Sequence, residues 1–566
     1  MKKKSRNDKL WKWAGILFLG CMFFMNGCTS KKELLTLDVF AGRANYQGEQ
    51  KGWYAKIVQD KFNLKLNIIA PNVSGGGNLL FESRLTAGTV GDIVITSYKN
   101  MTDCVEAGVL ADLTKYLEKT TYLKQYLDVI KIMNEQNGYD DAIYFIPTAM
   151  SSMPPTEPVL YGDKPELASF LPWSYYKELG CPMISDESVL LDVLEQMQQN
   201  HPYTKDGKKV YAFSLFKDWD VEYMSLAANM VRSYGYVDTT DSIFTSADLS
   251  ESQRVAQKDG IYYRMLQLYF EANQRGLLDP ESGVQSFDAM YEKARNHQVL
   301  YLWWAWMLGN YDDGLNDDRH VFIPVSQRPV VCDGFSKYGD GYAYAVGKDT
   351  KDIARVIEFL DWMASPEGMM YYAAGIENVG YVYKEGKPVY TNYSNEAWKY
   401  NYTVEEQYGG GTYAEGFCQF NDCIVQMKDI NPENGEPFYS ENWSSTINGN
   451  YGEVAMQWTK QFEAKSPVEY LQKNNLLDVV VKSSFVAEEE PEGLLFIREK
   501  CADLIKEYSW KMVFAESEEQ FLEYWDTLNV LLYQNGYEQV EEADRKIIEQ
   551  MRIYREEALR EIVNMD

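Results

Sequence analysis

Between residues 35 and 95 the hydrophobic period of the chain switches back and forth, and this alternation constrains the fold more than any other feature. Leu35 to Phe40 alternates as a short strand, and a polar loop covers 41–50. Residues 53–62 repeat with helical spacing, 64–70 read as a second strand, 79–87 as a second helix, and Gly91 to Ile95 as a third strand. Strands that alternate with helices predict βαβ units and a mainly parallel sheet covered by helices. In such sheets the ligand crevice lies beyond the carboxyl ends of the strands. The loops after Phe40, Ala70 and Ile95 therefore border the expected site. The first carries Arg43, Asn45 and Tyr46; the second carries Ser74 and three consecutive glycines. That glycine run can bring backbone N–H groups to a ligand oxygen, or simply form a flexible turn, the reading we favour. It is no Walker motif, because no Gly-Lys-Ser/Thr follows. Asp92 ends a tight turn and reads as structural.

The pattern continues with helices expected over 171–180, 188–198, 224–232 and 261–276, and a strand over 210–216. An aromatic strand is expected over 296–306. Ser365 before Pro366 has the form of an N-cap with proline at the first helical position. Ser517 with Gln520 forms a capping box for a helix over 521–532. From about 385 to 452 the composition shifts to Gly, Asn, Tyr and Ser, which reads as a loop-rich insertion or a second binding surface. A chain of 566 residues is too long for one core, so two or more lobes are expected.

The chain holds 43 tyrosines and 14 tryptophans. Most must be core, but flat rings with polar tips also suit the C–H faces of sugars. The three histidines, His201, His297 and His320, are far apart. Cys418 and Cys423 are close enough in sequence to pair, yet no further ligand gives them a zinc-site spacing. Neither a metal nor a cofactor is expected.

At the N-terminus, Lys2, Lys3, Lys4, Arg6, Lys9 and Lys12 precede an apolar run over 13–25, then Asn26, Gly27 and Cys28. A basic segment, a short apolar segment and a small residue define a secretory signal. The run is too short for a comfortable bilayer span. Gly27 before Cys28 resembles the lipobox of bacterial lipoproteins, although Met25 and Asn26 are unusual there. The resemblance implies cleavage before Cys28, a lipid on that cysteine, and a body held at the extracellular face of the cell membrane. The net charge is −29, and near −34 without the leader's six basic residues and one acid. Such a surface disfavours nucleic acid and anionic lipid as partners.

Several segments together resemble the extracellular solute-binding proteins of ABC importers, in the carbohydrate-binding group. These are Gly91-Asp92-Ile93-Val94 with Gly108 to Thr114, Tyr144-Phe145-Ile146-Pro147, and Tyr175 to Pro182. Val299 to Trp306 and Ala354 to Trp362 with Ser365 to Gly368 complete the set. The tail resembles the longer, LplA-like lipoproteins of that group. Two positions depart from the group's pattern. Asn296-His297-Gln298 replaces the usual glycine–lysine, and Trp173 stands where an acid is common.

The resemblance implies an α/β, two-lobed, periplasmic-binding-protein-like fold of type II with a hinge and a helical C-terminal extension. It divides the chain into a signal peptide (1–27), a lipid-anchored spacer (28–36), an N-terminal lobe (37–148 and 300–345) and a C-terminal lobe (149–299 and 346–566). The loop-rich insertion over 385–452 and the helical tail would belong to the C-terminal lobe. The crossings would lie near 145–152, 298–304 and 341–348. Trp303, Trp304 and Trp306 would then meet the cleft. On a strand, Trp304 and Trp306 share one face and Trp303 takes the other, so at least one is core. Asp218, Trp219 and Asp220 follow an apolar strand and offer carboxylates beside a ring, or form a surface turn. Trp173 and Trp443 are further, weaker candidates.

The leading functional expectation is non-catalytic capture of a carbohydrate, an oligosaccharide above all, by a monomer that delivers it to an ABC permease. Alternatives are an extracellular carbohydrate-active enzyme with paired carboxylates and a ligand-sensing surface lipoprotein. A peptide or small charged solute is the other ligand class.

Overall fold

The structure is a computed structural model that describes residues 33–74, 77–310, 319–391, 396–449, 452–488 and 490–563. The leader and Cys28 lie outside the described residues, as do Gly75, Gly76 and the side chain of Ser74.

The expected alternation forms the first lobe: β1 (Leu35–Ala41), α1 (Gly52–Phe62), β2 (Leu64–Ile69), α2 (Gly77–Thr86) and β3 (Ile93–Ser97), followed by α3 (Tyr98–Glu106) and β4 (Phe145–Pro147). β1 pairs in parallel with both β2 and β3. A returning strand, Tyr342–Val346, lies antiparallel between β3 and β4. Alternate residues of each strand supply opposite faces. Val39, Leu66 and Ile95 join Trp53, Tyr54, Val58 and Phe62 of α1 in one core. Phe40, Ile69 and Val94 join Phe81 of α2 and Met101 of α3 in another. Helices thus cover both faces, and the chain reverses its winding between β1 and β3.

The second lobe is built on β5 (Leu167–Pro172), α4 (Glu187–Asn200), α5 (Ile261–Gln274), α6 (Phe287–Arg295), β6 (Leu302–Trp304) and β7 (His320–Phe322). β6 and β7 both run antiparallel to β5. The stretch expected as a strand over 210–216 is extended and bridges in parallel to Val299 through Tyr211. The helical tail consists of α7 (Glu492–Val513), α8 (Glu518–Gln534) and α9 (Tyr537–Val563). Its Cys501, Trp510, Trp525 and Leu528 pack into the second-lobe core. Both expected caps are present. Ser365 Oγ accepts from Gly368 N at 3.0 Å and Ser517 Oγ from Gln520 N at 3.2 Å. The Gln520 side chain accepts from Glu516 N, one residue earlier than in a capping box.

The cores redraw the expected lobe boundaries. Leu300 to Ala305, Met307, Phe322, Ile323, Val325 and Val330 pack in the second-lobe core, so 300–304 lies within that lobe. Val346, Phe359 and Tyr381 pack in the first, as do Val404, Tyr413, Ile424 and Trp443 of the loop-rich segment. An apolar aromatic run looks the same in sequence whether it crosses a hinge or fills a core, and here the core takes it.

Three connections meet between the lobes. Ala149 N and Met150 N donate to Cys423 and Ile424 carbonyls, and Val159 N donates to Asp333 O. Asp429, buried, accepts from Ser152 N at 2.7 Å and from the Ser151 and Ser152 hydroxyls. Burial pushes its carboxyl above the ordinary range, against those hydrogen bonds. At Gly334 a Cβ would stand 2.1 Å from Pro155 O and 2.9 Å from Val480 O, so only glycine fits where these connections touch.

Candidate functional site

The strand directions fix which edge of each lobe faces the other. β4 ends at Pro147, where the chain leaves the first lobe, and it runs parallel to β3 and β1 because all three are related through the antiparallel returning strand and the β1–β3 pair. The carboxyl edge of the first sheet therefore faces the connections. β5 begins beside Glu166, which pairs with buried Lys428 on the connection that runs from Cys423 to Asp429. β6 runs antiparallel to β5, and Ala305 N donates to Glu166 O at 2.9 Å. The turn after β6 and the end of the 210–216 stretch thus lie on the second lobe's hinge-side edge.

The first-lobe edge is polar. Arg43, just past β1, donates from Nη1 to Asp340 at 2.7 Å and Asp422 at 2.9 Å, with its guanidinium 3.5 Å from the Tyr342 ring centroid. Burial works against the Arg43 charge, but the two carboxylates outweigh it and raise its pKa. Asp340 also accepts from the Thr148 hydroxyl on the first connection. Asp422 is buried, and its Oδ2 has no hydrogen-bond partner. Burial pushes its carboxyl up to about 6, with Asp340 adding to the rise and Arg43 opposing it. Of the other residues expected in this loop, Asn45 is exposed, and the Tyr46 hydroxyl donates to Glu49 O at 2.8 Å. Asp92 accepts from Asp38 N and joins neighbouring strand ends, in agreement with a structural role.

The second-lobe edge is aromatic. Trp219, 39% exposed, stacks on Phe287 at 4.4 Å, and Phe287 stacks on Tyr291 at 5.4 Å. Trp304 meets Trp219 edge-on at 5.4 Å and stacks on Trp306 at 5.8 Å. Trp306, Phe287 and Tyr291 are all partly exposed. The tryptophan trio divides by burial. Trp303 is core, donating to Tyr269 Oη at 3.1 Å. Trp304 is 7% exposed and backs the patch, and Trp306 reaches the surface. Asp218 accepts from Phe287 N at the start of α6. Asp220 accepts from Trp510 Nε1 and Ser225 N, which ties the tail to this lobe. Burial raises the Asp220 carboxyl. Both acids are thus engaged with protein groups. Trp173 and Trp443 are buried, donating to Gln457 and to Pro437 O. Among the described residues no cluster could hold a metal ion, and Cys418 and Cys423 are free thiols.

The sequence reading missed Asp340, Tyr342 and Asp422, which join Arg43 across about 300 to 380 positions of chain. It also missed Phe287 and Tyr291, although their four-residue spacing on an expected helix places two rings on one face.

No family model and no curated protein matches the chain. Solved structures do. An HMO-binding ABC-transporter-associated solute-binding protein from Bifidobacterium longum infantis superposes with a TM-score of 0.62 at 12% identity, covering 91% of this chain and 99% of that one. The alginate-binding protein AlgQ2 gives 0.60 at 15%, covering 93% and 98%. The Streptococcus pneumoniae ABC-transporter substrate-binding protein FusA, in complex with kestose, gives 0.57 at 12%, covering 92% and 99%. The chain has the solute-binding-protein fold. Near-complete coverage on both sides extends the match through the tail, so the solute-binding fold accounts for both lobes, the connections and α7–α9 together.

Proposed function

We propose that this chain captures an oligosaccharide between its two lobes without chemical conversion and delivers it to an ABC permease. The observation that carries the reading is the pairing of two unlike edges across the hinge. Arg43, Asp340 and Tyr342 offer directed hydrogen bonds on one side. Trp219, Phe287, Tyr291 and Trp306 offer flat apolar faces on the other. Sugars need both, because each ring has hydroxyls at its rim and C–H groups on its faces. Closure would bury the ligand, and its higher affinity for the closed state would drive the shift. Of the solved structures that share the fold, one is described as HMO binding and ABC-transporter associated, one as alginate-binding, and one as an ABC-transporter substrate-binding protein in complex with kestose, which supports the same reading.

No helix among the described residues is long and apolar enough to cross a membrane. In this proposal Cys28 carries the lipid, and the short stretch between it and β1 tethers the body beside its permease, raising its effective concentration there. The spacer expected to reach residue 36 is shorter, because Leu35 and Thr36 already pair in the sheet. A thermal-melting screen of the full chain against oligosaccharides, with product analysis of each mixture, tests the role. Stabilisation with intact ligand is expected. Release of shortened products would replace capture by hydrolysis.

A further inference from the structure

We infer, resting on the capture reading above, that the cleft selects uncharged oligosaccharides and rejects uronate-bearing ones. Holding a sugar carboxylate takes a cation whose charge is not already balanced, ideally a guanidinium free to pair in bidentate fashion. Arg43 is the guanidinium at the carboxyl edge of the first sheet, and its charge is answered twice, by Asp340 at 2.7 Å and Asp422 at 2.9 Å. Both contacts use Nη1, so donors remain for a ligand hydroxyl, but the cluster has no surplus positive charge.

Other cations near the hinge are similarly engaged, and Lys337, on the connection after Asp333, lies 5.0 Å from the Tyr338 ring centroid. Lys428 pairs with Glu166, and Arg232 and Lys482 both pair with Asp333. Burial works against the Asp333 charge, yet the two cations outweigh it and hold its carboxyl well below the ordinary range. Lys217, beside the aromatic patch, lies 4.9 Å from the Trp510 ring centroid. Lys99, in the first turn of α3, is exposed, and among the described residues no ion pair involves it, so it is a competing anchor that the test addresses. The patch itself is made of neutral rings with Asp218 and Asp220 next to it. A chain of net charge −29 adds a repulsive background for any anionic ligand.

The experiment is calorimetric titration of the full chain at neutral pH and low ionic strength with two length-matched panels. One holds neutral gluco-, fructo- and xylo-oligosaccharides, and the other oligogalacturonates and oligomannuronates. Binding is expected from the neutral panel, with any uronate weaker by about tenfold or more, a gap of about 1.4 kcal/mol. Asp340→Asn, which leaves Arg43 with one counter-charge, is expected to raise uronate affinity in a manner that added salt abolishes. A wild-type chain that binds a uronate as tightly as any neutral sugar overturns the proposal, and loss of that binding in Lys99→Gln would name the anchor. Silence from both panels would instead remove the capture reading and this proposal with it.

Discussion

The two edges that meet across the hinge are built from opposite materials. The first lobe presents charged groups held in place by one another, with Arg43 bridging Asp340 and Asp422 above the Tyr342 ring. The second presents rings fixed by packing, with Trp219 on Phe287 and Trp304 behind them. Ion-paired groups at strand ends give direction but bring a desolvation cost, visible in the raised carboxyl of Asp422. Stacked rings give area with little direction. In the proposed capture role, one lobe would read hydroxyl positions and the other would supply contact surface.

The largest effect should come from confusing the patch with its foundation. Trp303→Ala removes a fully buried ring and is expected to cost about 3–5 kcal/mol of stability in chemical denaturation. A cost near that of a surface substitution would mean that the second-lobe edge is not built on this core.

The next concerns the first lobe. The Asp422 carboxyl titrates near 6 in the folded chain and near about 3.9 when unfolded, so its contribution to stability is full below the lower value and is lost as pH rises through the upper one. Asp422→Asn removes that titration. Relative to wild type, the variant should gain on the order of 2–3 kcal/mol between about pH 4 and pH 6. A pH-independent difference would contradict the buried, under-partnered state of this carboxylate.

Much of the first lobe was legible because its signals are local. Leu35 to Phe40 alternates cleanly, and the strand–helix alternation to Ile95 follows from spacing alone. Ser365 and Ser517 announce their helices through cap chemistry that operates within a single turn. The candidate site was legible only in part. Arg43 and Trp219 stand in loops after strands and could be picked by position. Asp340 and Asp422 could not, because single acids in glycine- and asparagine-rich stretches carry no periodicity and reach Arg43 only through the fold. The lobe boundary failed for a related reason. Val299 to Trp306 has the apolar aromatic character of a crossing, yet its neighbours Tyr211, Phe170 and Tyr269 draw it inside the second core.

A smaller effect sharpens the contrast from the ligand side. Trp219→Ala, which removes ring contacts with Phe216, Phe287, Trp304 and Trp306, should cost clearly less unfolding stability than Trp303→Ala. It should weaken oligosaccharide binding roughly tenfold, about 1.4 kcal/mol. Equal loss of stability and affinity would make the ring structural. Smallest of all, Ser517→Ala should cost about 1 kcal/mol by removing the cap of α8 while leaving ligand affinity unchanged. A shift in affinity would show that the tail takes part in closure.

The central claim is that one ligand touches both edges. It is tested most directly by titrating an oligosaccharide that stabilises the wild-type chain into Arg43→Ala, Trp219→Ala and the double variant. The account predicts that each single substitution weakens binding roughly tenfold and that the double variant loses it beyond detection. Unchanged affinity in both single variants would contradict it.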